Sequence, residues 1–276
     1  MAYADSDGTQ IYYDDRGTGE PALLCLPGWC VHHTIYTPLA ELLSADQRVL
    51  AMDWRGHGGS QESEGDFGYP EMVDDVVAVI EASGANSVIT IAQAHGGWVA
   101  IELRRRLGER VAKMVFISWN PIITGANPLA PPSLREVPVL QTTAFWQALQ
   151  DEDRWSEAVK QVVTTWVGEA PAPVAEQIWD EAGTHGYEMW ARGGREISTM
   201  FERETDPVRA FSSFSPPVPV LHVYAQPRAP EFLSAQEAVA KEHPWFAVRR
   251  IEAVSHFPQL EVPEESAAVI REFINE

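Results

Sequence analysis

Positive charge is scarce in this 276-residue chain: 20 Lys and Arg stand against 40 Asp and Glu, a formal net charge of −20. A protein that grips nucleic acid neutralises phosphates with a basic stripe, and none is present. The single basic cluster, Arg104-Arg105-Arg106, is flanked by Glu102 and Glu109 and reads as a solvated helix face. Cysteine is equally sparse. Cys25 and Cys30 match no zinc spacing, and the expectation is two small buried side chains, not a disulfide. No run of 18 apolar residues occurs, so no membrane span is expected. The opening MAYADSDGTQ lacks the basic-then-apolar layout of a secretory signal, which with so few cysteines points to the cytoplasm. His185, His222 and His243 read as structural, with no pair at metal-ligand spacing. No metal site is expected.

What is present is a strand–helix rhythm with a break in it. Short apolar runs bounded by turn residues recur at 11–13, 22–26, 49–52, 88–91, 114–117, 218–223 and 246–251. Helix-length patterns at 69–83, 97–107 and 264–273 lie among them. Alternation of this kind predicts an α/β fold, a mostly parallel sheet with helices on both faces. The first two runs, separated by DDRGTGEP, read as an antiparallel lead-in. Between about 121 and 207 strand signals fade. Five tryptophans (Trp146, Trp155, Trp166, Trp179, Trp190) and apolar residues at helical spacing replace them. The expected organisation is a core of 1–120 and 208–276 with an inserted helical cap, 121–207, over the carboxyl ends of the strands, where ligands of such folds bind. Most of these tryptophans are expected to pack the core.

The most informative absence is a hydroxyl. Residues 89–100, ITIAQAHGGWVA, run from a β-branched strand through a small-residue turn into a helix pattern. That is the layout of a nucleophile elbow, yet the nucleophile position holds Ala94. Three other segments fall where strands end: LPGWC (26–30), MDWRGHGGS (52–60) and VSHFPQLEVP (254–263).

Together these four segments resemble the α/β-hydrolase fold over nearly the whole chain. The motifs GWC with His32 and His33 close behind, DWRGHGGS, DFGYPEMVDD, HGGWV, HGYEMWARGGR, YAQPRAPEF, EHPWF and SHFP narrow the resemblance. In this order they resemble the cofactor-independent 3-hydroxy-4(1H)-quinolone 2,4-dioxygenases. That resemblance implies ring cleavage by O2 with neither metal nor flavin, yielding an N-acylanthranilate and carbon monoxide. The partners implied are a small aromatic heterocycle and O2, in a monomer or weak dimer. His256 would remove the 3-hydroxyl proton. His95 and the Trp29 amide would hold the developing oxyanion, and Ala94 would leave room at the reacting carbons. His32, His33, Trp98, Trp119, Trp166 and Trp190 would contact substrate. Asp53 and His57, in the DxRGxG turn, read as structural. The family's aspartate partner of the histidine is replaced by Ser118, and Glu231 is the nearest carboxylate after the following strand. A diverged esterase or lyase, an esterase carrying a Ser→Ala change, and a non-catalytic binder of a hydrophobic ligand are the alternatives left by the missing nucleophile and acid.

Overall fold

The computed structural model describes residues 2–119, 139–204 and 207–276. The first part of the expected cap, 120–138, lies outside them. Eight strands form one sheet: β1 (Ala2–Ser6), β2 (Thr9–Arg16), β3 (Ala22–Leu26), β4 (Val49–Met52), β5 (Val88–Gln93), β6 (Val111–Ile117), β7 (Val220–Tyr224) and β8 (Phe246–Arg250). Their order is β1-β2-β4-β3-β5-β6-β7-β8. Every residue of β3, β4, β5 and β7 is buried, as expected for parallel strands covered on both faces.

The antiparallel part differs from the sequence expectation. β2 pairs antiparallel with β1 and β4, whereas β3 enters the sheet centre, parallel to both β4 and β5. The polar, alternating AYADS forms the missing partner of β2. Its alternation is too short to stand out, and it is a strand only because β2 offers an edge.

The helices are α1 (Thr37–Leu43), α2 (Tyr69–Ser83), α3 (Gly96–Leu107), α4 (Val139–Leu149), α5 (Trp155–Val167), α6 (Ala172–Gly183), α7 (Tyr187–Glu204), α8 (Pro207–Ser212), α9 (Pro230–Glu242), α10 (Pro258–Glu261) and α11 (Pro263–Asn275). Between β6 and β7 the described residues hold helices and no strand. No described helix is long and apolar enough to cross a membrane. α2 shows how local chemistry sets an element's ends. Glu71 accepts the Gly68 N–H at 2.8 Å at its start, and Gly84 closes it in the left-handed region, φ 70°.

Register levels the strand ends. Leu26 pairs with Ala92, Gln93 with Ile117, and Ile117 with Val223. The loops after β3, β5 and β6 therefore emerge side by side. The basic triplet divides in two. Arg105 and Arg106 make surface ion pairs, but Arg104 is 6% exposed. Its guanidinium donates to the carbonyls of Gly108, Val111 and Pro216, tying α3 to the segments that enter β6 and β7.

A buried ion pair anchors the turn after β4. Arg55 donates from Nε (2.8 Å) and Nη2 (2.5 Å) to the two oxygens of Asp75, which is fully buried on α2. Removing one partner strands a charge away from water. Asp75→Ala is expected to lose about 3–5 kcal/mol of unfolding free energy, read from urea denaturation followed by circular dichroism. An unchanged midpoint would show that water reaches Arg55.

Candidate active site

The elbow is tightly packed. Ala94 has φ 47°, a left-handed backbone that L-residues adopt only at a cost of roughly 1–2 kcal/mol. Its N–H donates to the Ile117 carbonyl at 2.9 Å. Two glycines follow because nothing larger fits. A Cβ on Gly96 would lie 2.4 Å from the Pro27 carbonyl oxygen, and one on Gly97 would lie 2.4 Å from the Trp119 ring.

The loop after β3 is bolted down from the DWRGHG turn. Trp54 Nε1–H donates to the Pro27 carbonyl at 3.0 Å. The Cys30 N–H donates to His57 Nε2 at 3.1 Å, while His57 Nδ1–H donates to the Arg55 carbonyl at 3.0 Å. Both nitrogens of His57 are thus used, and burial holds its pKa well below the ordinary value. Trp29, between these two anchors, packs its ring against α7 and donates from Nε1 to the Met189 carbonyl at 3.0 Å. A Cβ on Gly193 would lie 2.7 Å from that ring. Of the paired glycines of HGYEMWARGGR, Gly193 therefore lets α7 lie on the loop, while Gly194 lets it approach α4, where a Cβ would lie 2.6 Å from the Trp146 carbonyl oxygen. The backbone N–H groups of Trp29 and His95 have no acceptor among the described residues.

A cavity opens above these elements. Its floor is Gly28, Trp29, Gln93, Ala94 and His95; its roof is Trp146, Leu149, Trp166, Trp190, Gly193 and Ile197. His95 starts α3 with its ring edge-on to Trp146, 4.8 Å between centroids, and its Nδ1 is buried without a partner. His256 sits in the loop between β8 and α10. Its backbone N–H donates to the Trp166 carbonyl at 2.7 Å. Its ring lies nearly parallel to Trp166, 5.8 Å between centroids at 8°. Glu261 holds this loop by accepting the N–H groups of Val254 (3.0 Å) and Ser255 (2.8 Å). Burial, and then the proximity of His256, push His95 down to about 3. Burial, and then the proximity of His222, push His256 down to about 4. Both are neutral at pH 7, as a proton acceptor must be.

His222, on β7, lies beneath this pair. Trp119 N–H donates to its Nε2 at 3.2 Å, so its proton is on Nδ1, donated to Gln236 Oε1 at 2.5 Å. Ser118 occupies the left-handed region, φ 50°, with its Oγ buried and unpartnered. No hydrogen bond joins it to His256. Glu231 is exposed on the first turn of α9 and forms no hydrogen bond or ion pair with His256.

The sequence-derived residues therefore separate. Trp29, Ala94, His95, Trp166 and Trp190 meet at the cavity, with His256 stacked on its Trp166 wall. Neither His256 nor Trp98, Trp119, His32, His33, Ser118 or Glu231 lines it. Trp98, fully buried on α3, packs edge-on to Trp119 at 4.8 Å, and together they support the elbow from beneath. His32 and His33 leave the cavity because Cys30, at φ 60°, turns the chain away from it. His33 donates to Asp53 from its N–H (2.6 Å) and Nδ1–H (2.9 Å), and His32 N–H donates to Glu181 Oε2 (2.8 Å). Sequence reading gave no role to Gln93, Trp146, Leu149 or Ile197. Only the unusual polar residue ending β5, in QAHGGW, offered a signal. Spacing also hid a cluster in which donor atoms of Cys30, His57 and His185 lie within 4.8 Å of one another. Burial keeps the Cys30 thiol protonated. Both cysteines are free and buried.

A model described as the Alpha/beta hydrolase family matches residues 23–269. The chain belongs to that family. Within it the chain groups with the 3-hydroxy-4(1H)-quinolone 2,4-dioxygenases. It is 34% identical over 264 residues to the 2-heptyl-3-hydroxy-4(1H)-quinolone dioxygenase of Mycobacteroides abscessus, covering 95% of this chain and 93% of that one. It is 31% identical to the 1H-3-hydroxy-4-oxoquinoline 2,4-dioxygenase of Pseudomonas putida, covering 99% of each. Among solved structures, AqdC in complex with the product of cleaving the Pseudomonas quinolone signal superposes with a TM-score of 0.88, at 31% identity and full coverage of both chains.

Buried neutral imidazoles make this hydrolase-fold chain acid-sensitive. His95, His222 and His256 have folded pKa values of about 3, 4 and 4, below the ordinary 6.5. Between those values the unfolded chain binds protons that the folded chain refuses. Stability therefore falls as pH falls from 6.5 toward 4. The expected loss between pH 7 and pH 5 is on the order of 1–2 kcal/mol per imidazole. Urea titrations of the wild type and His222→Gln check it: the variant's stability should depend less steeply on pH by one group's share. Equal slopes would refute the assignment.

Proposed function

We propose that the chain is a ring-cleaving dioxygenase of 3-hydroxy-4(1H)-quinolones that works without metal or organic cofactor. The observation that carries this reading is His95 at a tryptophan-lined cavity, with His256 stacked on its Trp166 wall and a methyl group on the elbow where a hydrolase holds its nucleophile. Full-length similarity to enzymes bearing that name supports it. Ala94 can form no acyl-enzyme, so esterase chemistry by the elbow is closed to the chain. A substrate that activates oxygen itself needs only a base, oxyanion donors and dryness.

His256 accepts the 3-hydroxyl proton. The anion formed is held by the N–H groups of Trp29 and His95, with His95 Nδ1 facing the same space. O2 takes electrons from the ring carbon C2, and the peroxide closes onto C4. The O–O, C2–C3 and C3–C4 bonds then break and C3 departs as carbon monoxide. One oxygen atom of O2 remains on C2 as the acyl carbonyl and the other on C4 as the carboxylate, so atoms balance. Trp166 and Trp190 stack on the planar heterocycle, with Trp146 and Leu149 alongside. Ser118 and Glu231 give His256 no anionic partner, so the imidazolium's counter-charge is the substrate anion itself. Residues 121–207 act as the cap over the core of 1–120 and 208–276. The enzyme works in the cytoplasm as a monomer or weak dimer, with no nucleic-acid or membrane partner.

Oxygen-electrode traces and carbon monoxide detection with the unsubstituted and 2-alkyl substrates test the activity on metal-stripped protein. His256→Ala should lower kcat by ~10²–10⁴ while leaving the fold intact by circular dichroism. Ligand binding without oxygen uptake by the wild type would assign the cavity to binding alone. The acid limb of kcat/KM is a second check. It reports the free enzyme's base, so it should fall near pH 4, where His256 takes up its proton, and not near 6.5.

A further inference from the structure

Gln93 closes β5 and immediately precedes the elbow. It is 1% exposed and lines the cavity. Its carboxamide bridges two regions. The oxygen end faces the loop after β3, where a Cβ on Gly28 would lie 2.2 Å from Oε1. The nitrogen end, Nε2, is buried and has no hydrogen-bond partner. A buried amide N–H left unmade is costly, and Leu or Met would fill the same volume without that cost. A carboxamide with one satisfied role would be structural. Here the spare donor belongs to a residue that lines the same cavity as Trp29 and His95, whose backbone N–H groups lack acceptors among the described residues.

We propose that Gln93 is a catalytic residue, its Nε2–H donating to the ligand oxygen that the Trp29 and His95 amides hold. The oxyanion hole then has three donors, one of them a side chain. Neutral donors suit this site: they stabilise a substrate anion without supplying a fixed positive charge that would oppose the imidazolium on His256. The inference rests on the function proposed above and adds the group that favours the ionised form of the bound substrate.

Under argon no turnover occurs, so the absorbance spectrum of bound 3-hydroxy-4(1H)-quinolone reports how much of it is anionic. Gln93→Met keeps length and removes the donor; Gln93→Asn keeps the amide but withdraws it by one methylene. In both, the pH midpoint for ionisation of the bound quinolone should rise by at least one unit. In air kcat should fall at least tenfold, with the thermal midpoint equal to or above that of the wild type. A merely structural glutamine would lower the thermal midpoint and leave the ionisation midpoint alone. Unchanged ionisation and kcat within twofold in either folded variant would overturn the proposal while the dioxygenase reading stood. A wild type that neither binds the quinolone nor consumes oxygen would overturn both.

Discussion

The approach of the elbow to its neighbours governs the rest of this molecule. Gly96 passes the Pro27 carbonyl and Gly97 passes the Trp119 ring at distances that leave no room for a Cβ. Ala94 accepts a left-handed backbone to make the turn. Those contacts draw three strand ends into one floor, so Trp29 and His95 line the same cavity. They also assign the neighbours their places. Trp98 and Trp119 become the packing under the turn, and Gly193 of α7 lets a helix of the insertion rest on Trp29. Polar anchors complete the arrangement. His57 and Trp54 hold the loop after β3 from below, and the buried Arg55–Asp75 pair holds their turn against α2.

The electrostatics of the cavity follow from its dryness. Burial removes the water that would stabilise an imidazolium, and among the described residues no carboxylate replaces it. Ser118 has a hydroxyl with no partner, and Glu231 faces solvent. His222, the polar group nearest His256 from below, is pinned in one tautomer by the Trp119 amide and Gln236. It offers no negative charge. The result is a neutral base among neutral donors, a site in which the first charge to form is the ligand's own. On the proposed function, the charge on His256 and the charge on the substrate are created together and offset each other.

Much of this was legible in the chain. Alternating apolar runs and helix patterns predicted a mostly parallel sheet, and the β3, β5 and β8 loops were located by LPGWC, QAHGGW and VSHFP. The motif order was specific enough to indicate the family. The misplacements have physical causes. β1 is too short and polar to announce itself, and β3 enters the sheet centre instead of pairing with β2. His32 and His33 follow GWC closely in sequence, but the left-handed backbone at Cys30 sends them to Glu181 and Asp53. Trp98 and Trp119 are aromatic neighbours of the elbow, yet helix phase points Trp98 into the core, where Trp119 meets it. Trp146, Leu149 and Ile197 gave no signal because an apolar residue on a helix reads alike whether its face meets core or cavity.

The sequence alone determined the fold class, the elbow with its methyl group, the family, and His256 and His95 as its titratable candidates. These depend on local patterns: periodicity, turn chemistry, and residue types at strand ends. Tertiary structure alone decided which aromatic rings line the cavity, that no anionic partner reaches His256, and that Gln93 brings an unsatisfied amide to the floor. Those facts depend on what lies across the gap from each side chain. Burial, desolvation and the partnering of a donor are properties of a neighbourhood, and residues distant along the chain supply it.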